Sequence, residues 1–302
     1  MTYIIPQPVK KGDTIGLITP SSPLMLGRLE AGIAYLEQNG FKVKVGRHNR
    51  DTLRFLAGRD EDRAQDVMDF FKDPEVKAMI ATGGGYGSQR ILPYLDYDLI
   101  RANPKMVIGL SDTTALHMGL LSAGLACFTG FTMGDVAEGD ILPLHENTLL
   151  SCLMGEAYEI SAGSALYPGK VTAPLVGGNL DLVATLIGTP YQPNFKGAIL
   201  LLEEVRTEPY KIDCCLSQLH LAGILQQAVG MVFGKFEQCQ AEYHPDRDGT
   251  VDDILEEWSA RLKIPCLKDF PYGHSATRSV LPLGKNVTLD VNQSRITIEG
   301  GK

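Results

Sequence analysis

Two stretches decide the fold: Lys77-Ala78-Met79-Ile80-Ala81 running into Thr82-Gly83-Gly84-Gly85-Tyr86-Gly87, and Met106-Val107-Ile108-Gly109-Leu110 running into Ser111-Asp112-Thr113-Thr114. Each begins with an apolar run too short for a helix and ends in a turn of glycine or small polar residues. Runs that are apolar throughout belong to strands buried on both faces, the habit of parallel sheets. Outward from these, Thr14–Thr19 is another such strand, stopped by Pro20 and Ser21-Ser22-Pro23. Leu26, Leu29, Ile33 and Leu36 recur at helical spacing up to Asn39-Gly40; Phe41–Val45 is a strand; Asp60–Lys72 is an amphipathic helix with Ala64, Val67, Met68 and Phe71 on one face. This alternation predicts a mostly parallel sheet covered by helices on both faces, with its strand C-termini, and any site, along one edge.

The texture changes after about residue 155. Tyr158–Thr172 is short-period and turn-rich, like a linker or a strand pair between domains. Helices follow at Asn179–Ile187, Tyr210–Leu221 and Asp252–Leu262, with strands at Ala198–Leu202 and Ala228–Phe233 and an alternating tail, Asn286–Ile298, that reads as antiparallel hairpins. The expectation is an α/β domain over residues 1–155, a linker over 156–172, and a smaller α+β, barrel-like domain over 173–302.

The 302 residues are 44% hydrophobic and 21% charged, which is ordinary globular composition. With 28 basic against 36 acidic residues the net charge is −8, so a general nucleic-acid binder and a polybasic membrane protein are excluded. No stretch is long and apolar enough for a transmembrane helix, and prolines and charges interrupt the first 23 residues where a secretory signal would need an apolar core. Cys127, Cys152, Cys214, Cys215, Cys239 and Cys266 show neither CxxC nor zinc-finger spacing. We expect reduced thiols in a cytoplasmic protein.

In Gly109-Leu110-Ser111-Asp112-Thr113 a strand delivers a serine into a tight turn at a helix start, as in a nucleophile elbow, although Thr113 replaces the second glycine of G-x-S-x-G. A simpler reading is that Ser111 or Asp112 caps the helix, since both residue types are favoured there. The glycines at 83–87 fit neither a dinucleotide fingerprint, because position 88 is serine, nor a P-loop, because no Lys-Ser/Thr follows. They fit an oxyanion hole with one amide from Gly84 or Gly85 and the second from Asp112, or else a plain tight turn. Of the histidines, His117 sits on the same helix as Ser111 and faces away, and His145 and His220 look like surface or packing residues. His274 lies in a polar loop beside Gly273, where catalytic side chains concentrate. Glu203 and Glu204 close the apolar run Ala198–Leu202, and either could orient a histidine base. Arg278 and Arg206 are candidates for holding a substrate carboxylate. No HExxH motif or convincing ligand cluster is present, so neither metal nor cofactor is expected.

Together, Thr19-Pro20-Ser21-Ser22, Gly84-Gly85-Tyr86-Gly87, Gly109-Leu110-Ser111-Asp112, Gly177-Gly178-Asn179-Leu180, Leu202-Glu203-Glu204 with Pro209-Tyr210-Lys211-Ile212-Asp213, and Gly273-His274 resemble, in this order, the LD-carboxypeptidase family of serine peptidases. The resemblance implies a Rossmann-like first domain and a smaller second domain with the site between them. It implies Ser111 as nucleophile, Glu203 as orienting carboxylate, His274 as general base, Gly84, Gly85 and Asp112 as oxyanion donors, and a homodimer. It further implies cleavage of the L,D bond that releases terminal D-alanine from murein tetrapeptides during cell-wall recycling. One branch of the family instead cuts microcin-type peptidyl nucleotides and carries a longer segment between nucleophile and glutamate. Here 92 positions separate Ser111 from Glu203 and contain no tryptophan, the only one being Trp258, which favours the murein branch. A non-catalytic murein-peptide binding protein is the alternative from another class.

Overall fold

The computed structural model describes residues 2–24, 27–137 and 141–301. The strands are β1 (Thr14–Ile18), β2 (Lys42–Val45), β3 (Val76–Ala81), β4 (Met106–Gly109), β5 (Cys127–Thr129), β6 (Tyr158–Ser161), β7 (Ser164–Tyr167), β8 (Lys170–Asn179), β9 (Ile199–Val205), β10 (Gly230–Glu237), β11 (Cys266–Lys268), β12 (Leu281–Leu283), β13 (Asn286–Asp290) and β14 (Arg295–Ile298). The helices are α1 (Arg28–Gln38), α2 (Asp60–Lys72), α3 (Ser88–Ile91), α4 (Tyr97–Ala102), α5 (Thr114–Ser122), α6 (Met133–Ala137), α7 (Pro143–Met154), α8 (Leu180–Thr185), α9 (Pro209–Leu221) and α10 (Val251–Leu262). Of the periodic residues read for the first helix, Leu26 lies outside the described residues.

The first sheet has the order β12-β5-β4-β3-β1-β2, parallel except for β12. From β1 the chain moves outward to β2, then returns to the other side of β1 for β3, β4 and β5. The switch point therefore falls between β1 and β3, and the crevice outside their C-terminal ends is where such sheets bind ligands. Both faces are covered: Met79 and Val107 point into one core, while Ala78, Ile80 and Ile108 point into the other. That is why β3 and β4 read as unbroken apolar runs.

The second sheet has the order β6-β14-β13-β8-β9-β10-β11-β7, with β8, β9, β10 and β11 parallel. Its edge strands β6 and β7 are joined by only Ala162 and Gly163, so the two edges approach within about 11 Å and the sheet curls most of the way into a barrel. The stretch 156–172 is thus no spacer. It supplies β6, β7 and the start of β8, and it reads as turn-rich because its strands are four residues long and partly exposed. The return is also shared, since β12 pairs antiparallel with β5 and closes the first sheet's edge. One continuous core, from Val107 and Leu116 to Leu175 and Leu200, joins the sheets. Among the described residues no helix is long and apolar enough to cross a membrane.

Candidate active site

Ser111 leaves the end of β4 with φ +62°, a left-handed conformation that a non-glycine residue adopts at a cost of order 1 kcal/mol. This sharp turn lifts Oγ out of the sheet edge. Neither Ser111 nor Asp112 caps α5, which has no side-chain cap. The Asp112 carboxylate accepts instead from the Ser88 amide (2.7 Å), and the Ser88 hydroxyl donates to the Asp112 carbonyl, so this buried residue pins α3 to the turn. Behind the turn, Thr114 Oγ1 accepts from the Asn179 amide (3.1 Å) and ties it to the second sheet.

The glycine turn after β3 lies against this elbow. Thr19 and Thr82 share a hydroxyl–hydroxyl bond (2.8 Å), the Ser22 amide donates to the Gly84 carbonyl (3.2 Å), and the Tyr86 amide donates to Ser22 Oγ (3.1 Å). The buried guanidinium of Arg63 donates to the carbonyls of Pro20 and Gly87, joining the loops after β1 and β3. A side chain at 84 would place its Cβ 2.9 Å from Ser111 Cβ and 3.1 Å from Ser111 Oγ, with the Asp112 amide nitrogen 3.6 Å away. The Gly84, Gly85 and Asp112 amides make no hydrogen bond to the described residues and remain free to donate. Displacing reacting groups by about an ångström can cost on the order of 10² in rate. Gly84→Ala is therefore expected to lower kcat at least about 100-fold while costing no more than about 1–3 kcal/mol of stability, the range of a local overpacking, as steady-state kinetics and calorimetry would register.

Glu203 lies within β9, not at its end as the apolar run suggested, because the strand continues to Val205. Strand register sets it opposite Asn179 on β8. It is 0% exposed. Its Oε1 accepts from Asn179 Nδ2 (3.3 Å) and its Oε2 lies 2.7 Å from His274 Nδ1. His274 Nε2 is 2.9 Å from Ser111 Oγ. Gly273, at φ +112°, carries the chain over Glu203; a Cβ there would come within 2.7 Å of Oε2. The histidine loop is anchored to the first sheet by Tyr272, whose buried hydroxyl pairs with Thr129 Oγ1 on β5 (2.8 Å). Glu204, also buried, accepts from Asn179 Nδ2 (2.9 Å), the Asp181 amide (3.0 Å) and the Val205 amide (2.9 Å); burial raises its pKa despite these donors. The Asn179 bridge is the feature that the residue-by-residue reading missed. Its signal was asparagine at a strand end before a helix, and Asn179 does cap α8 through Leu182.

Burial pulls the His274 pKa down, but the hydrogen bond and charge of Glu203, helped by Glu204 and opposed by Arg278, leave it raised above its ordinary 6.5. A general base acts in the neutral form, and the raised pKa keeps this imidazole protonated to higher pH. The acid limb of kcat/KM is therefore expected to have its midpoint above pH 6.5, measurable in a pH–rate profile. His117 and His145, pushed down by burial to about 3 and about 4, are neutral at pH 7, and both are fully buried. His145 is a core residue bonded to the Gly130 carbonyl (2.8 Å), not a surface one. All six cysteines are free, four of them buried. Among the described residues one group, His48, Asp51 and Asp62, has ligand atoms close enough to suggest a metal, and it is not part of the cleft around Ser111.

That cleft, of about 650 Å³, is lined by Gly84, Gly85, Leu110, Ser111 and His274, together with Thr132, Asp135, Val205, Arg206, Glu237, Gln238 and the loop 275–278. A hydroxyl, an imidazole and a buried carboxylate in hydrogen-bonded series beside free amides is the equipment of acyl transfer through a serine ester. Residues 15–130 match the LD-carboxypeptidase N-terminal domain, and residues 172–289 match the LD-carboxypeptidase C-terminal domain. The chain belongs to the LD-carboxypeptidase family. Among its relatives, a probable murein peptide carboxypeptidase of Bacillus subtilis is 33% identical over 302 residues, covering 98% of this chain and 94% of that one. The Microcin C7 self-immunity protein MccF of Escherichia coli is 28% identical over 332 residues, covering 98% and 95%, and a solved MccF complex with glutamyl sulfamoyl guanosine superposes at a TM-score of 0.89, with 26% identity and 98% of each chain covered. The muramoyltetrapeptide carboxypeptidase of Oxalobacter formigenes gives a TM-score of 0.88 at 28% identity, over 96% and 99%. Family membership makes this chain a serine carboxypeptidase of two-domain α/β fold.

Proposed function

We propose that this family member is an LD-carboxypeptidase that releases terminal D-alanine from murein tetrapeptides, with Ser111 as nucleophile, His274 as general base and Glu203 as the carboxylate that orients it. The observation that carries this reading is the series Glu203 Oε2–His274 Nδ1–Ser111 Oγ, in steps of 2.7 and 2.9 Å, inside one cleft. Ser111 Oγ attacks the scissile carbonyl while its proton passes to His274 Nε2; Glu203 holds Nδ1–H and stabilises the imidazolium. The developing oxyanion is received by the amides of Asp112 and of Gly84 or Gly85. His274 then gives its proton to the departing amine, and water, deprotonated by the same nitrogen, hydrolyses the acyl ester. A domain boundary at about residue 155, the homodimer and a cytoplasmic site of action belong to the same proposal.

A peptidyl-nucleotide amidase of the MccF kind is the second reading, and overall shape does not separate the two, since both types of structure superpose almost equally well. The alignment with MccF runs 30 positions longer than that with the B. subtilis carboxypeptidase, so MccF carries segments for which this chain has no counterpart. Trp258, the one tryptophan, is buried and donates from Nε1 to Asp213 (2.8 Å), so no indole is presented to the cleft. Both facts favour the peptide substrate. A site built for an L-type acyl centre places the carbonyl of a D,D bond away from its donors, and such misplacement costs on the order of 10². Incubation with murein tetrapeptide and pentapeptide, followed by mass spectrometry, should show conversion of tetrapeptide to tripeptide and at least about 100-fold slower cleavage of the pentapeptide. Equal rates on both would overturn the L,D assignment.

A further inference from the structure

We propose that Arg206, braced by Gln238, forms the subsite that binds the terminal carboxylate of the residue to be released; this rests on the carboxypeptidase reading above. Two guanidinium groups line the cleft, those of Arg206 and Arg278. They are in opposite states. Arg278 is 7% exposed; its Nη2 lies 2.6 Å from Asp135 Oδ1 and its Nη1 donates to the Ser275 carbonyl (3.3 Å). Its charge is already neutralised, and its work is to fasten the histidine loop to α6. Arg206 is exposed on the cleft wall, and among the described residues no carboxylate lies within ion-pair distance of it. Its side chain makes one bond, from Nε to Gln238 Oε1 (3.0 Å). That bond fixes the plane of the guanidinium and leaves both Nη groups, a pair of parallel donors matched to the two oxygens of a carboxylate.

The backbone supports the same assignment. Arg206 and Gln238 are the residues that follow β9 and β10, neighbouring parallel strands, and both are left-handed non-glycine residues, with φ +55° and +56°. The Arg206 amide donates to the Glu237 carbonyl (2.9 Å). Strained residues cluster where the surrounding structure holds side chains for function, and these two turns present Gln238 and, three positions beyond Glu203, Arg206 to the cleft. A cation is needed there. Glu237 lines the cleft, and Glu203 and Glu204 lie behind its wall, so an anionic peptide end meets like charge there unless an unpaired positive group receives it.

The test compares wild type, Arg206→Gln, Arg206→Lys and Arg278→Lys on two substrates: the tetrapeptide, and the same peptide with its terminal carboxylate converted to the carboxamide. Labelling of Ser111 by a fluorophosphonate, which carries no carboxylate, reports whether each variant keeps its elbow intact. Wild type should prefer the acid over the amide by about 10- to 100-fold in kcat/KM, the range of a hydrogen bond to a charged group. Arg206→Gln should lose that factor on the acid, mostly through KM, change little on the amide, and label at the wild-type rate. Arg206→Lys should recover part of the preference. The inference fails if wild type does not distinguish acid from amide, if Arg206→Gln keeps the preference, or if Arg278→Lys loses the preference while Arg206→Gln retains it. If wild type cleaves neither peptide, the carboxypeptidase reading itself fails and the subsite falls with it.

Discussion

Glu203→Gln is expected to lower kcat on the tetrapeptide by up to roughly 10⁴ while leaving the fold intact. The substitution is nearly isosteric, and the position is 0% exposed with Asn179 against one oxygen and His274 against the other. What changes is the proton. A carboxylate only accepts, so it fixes His274 with Nδ1–H toward Glu203 and a free Nε2 lone pair toward Ser111 Oγ. A glutamine can present its amide N–H to Nδ1, which moves the imidazole proton to Nε2 and removes the base. The loss of charge has a second signature. Glu203 is the main group that raises the His274 pKa against the downward pull of burial, so the acid limb of the residual activity should move to lower pH. A variant that loses rate through misfolding would show no such directed shift, so a pH–rate profile with a thermal melt separates the two causes.

Ser111→Ala and His274→Ala should each cost on the order of 10⁶ in kcat, and the double variant should be scarcely worse than either. Without the hydroxyl there is no acyl enzyme for His274 to serve; without the imidazole the hydroxyl keeps its proton. Independent contributions would multiply to about 10¹², so the double variant distinguishes a single working unit from two separate residues. The geometry requires this coupling, because one hydrogen bond joins two residues 163 positions apart.

The first sheet was legible because its strands are buried on both faces: an apolar run such as Met106–Leu110 admits few other readings. The role of Ser111 was not legible from its own motif, since a helix start favours the same residue types as caps and as nucleophiles. What favours the proposed nucleophile role is the position of His274, whose Nε2 lies 2.9 Å from Ser111 Oγ and which no local pattern carries. The resemblance implied the three residues, and the fold brings them into series. Glu203 was placed one step too far along, at a strand end, because a charged pair stops an apolar count even where Asn179 and backbone amides make its burial tolerable. The stretch 156–172 read as a linker because β6 and β7 face solvent on one side and are too short to establish a period. Arg63 drew no reading of its own within the amphipathic stretch Asp60–Lys72. It is among the most deeply buried charges in the chain, held by Asp60 and by two carbonyls that shape the site.

The most direct test of the central claim is mass spectrometry of the protein and its products after brief incubation with murein tetrapeptide. The account predicts tripeptide and free alanine from the wild type, an acyl adduct confined to the peptide containing Ser111 when hydrolysis is slowed, and neither product nor adduct from Ser111→Ala. If Ser111→Ala keeps more than a few per cent of wild-type turnover, or if the adduct maps to any other residue, Ser111 is not the nucleophile and the proposed mechanism is wrong.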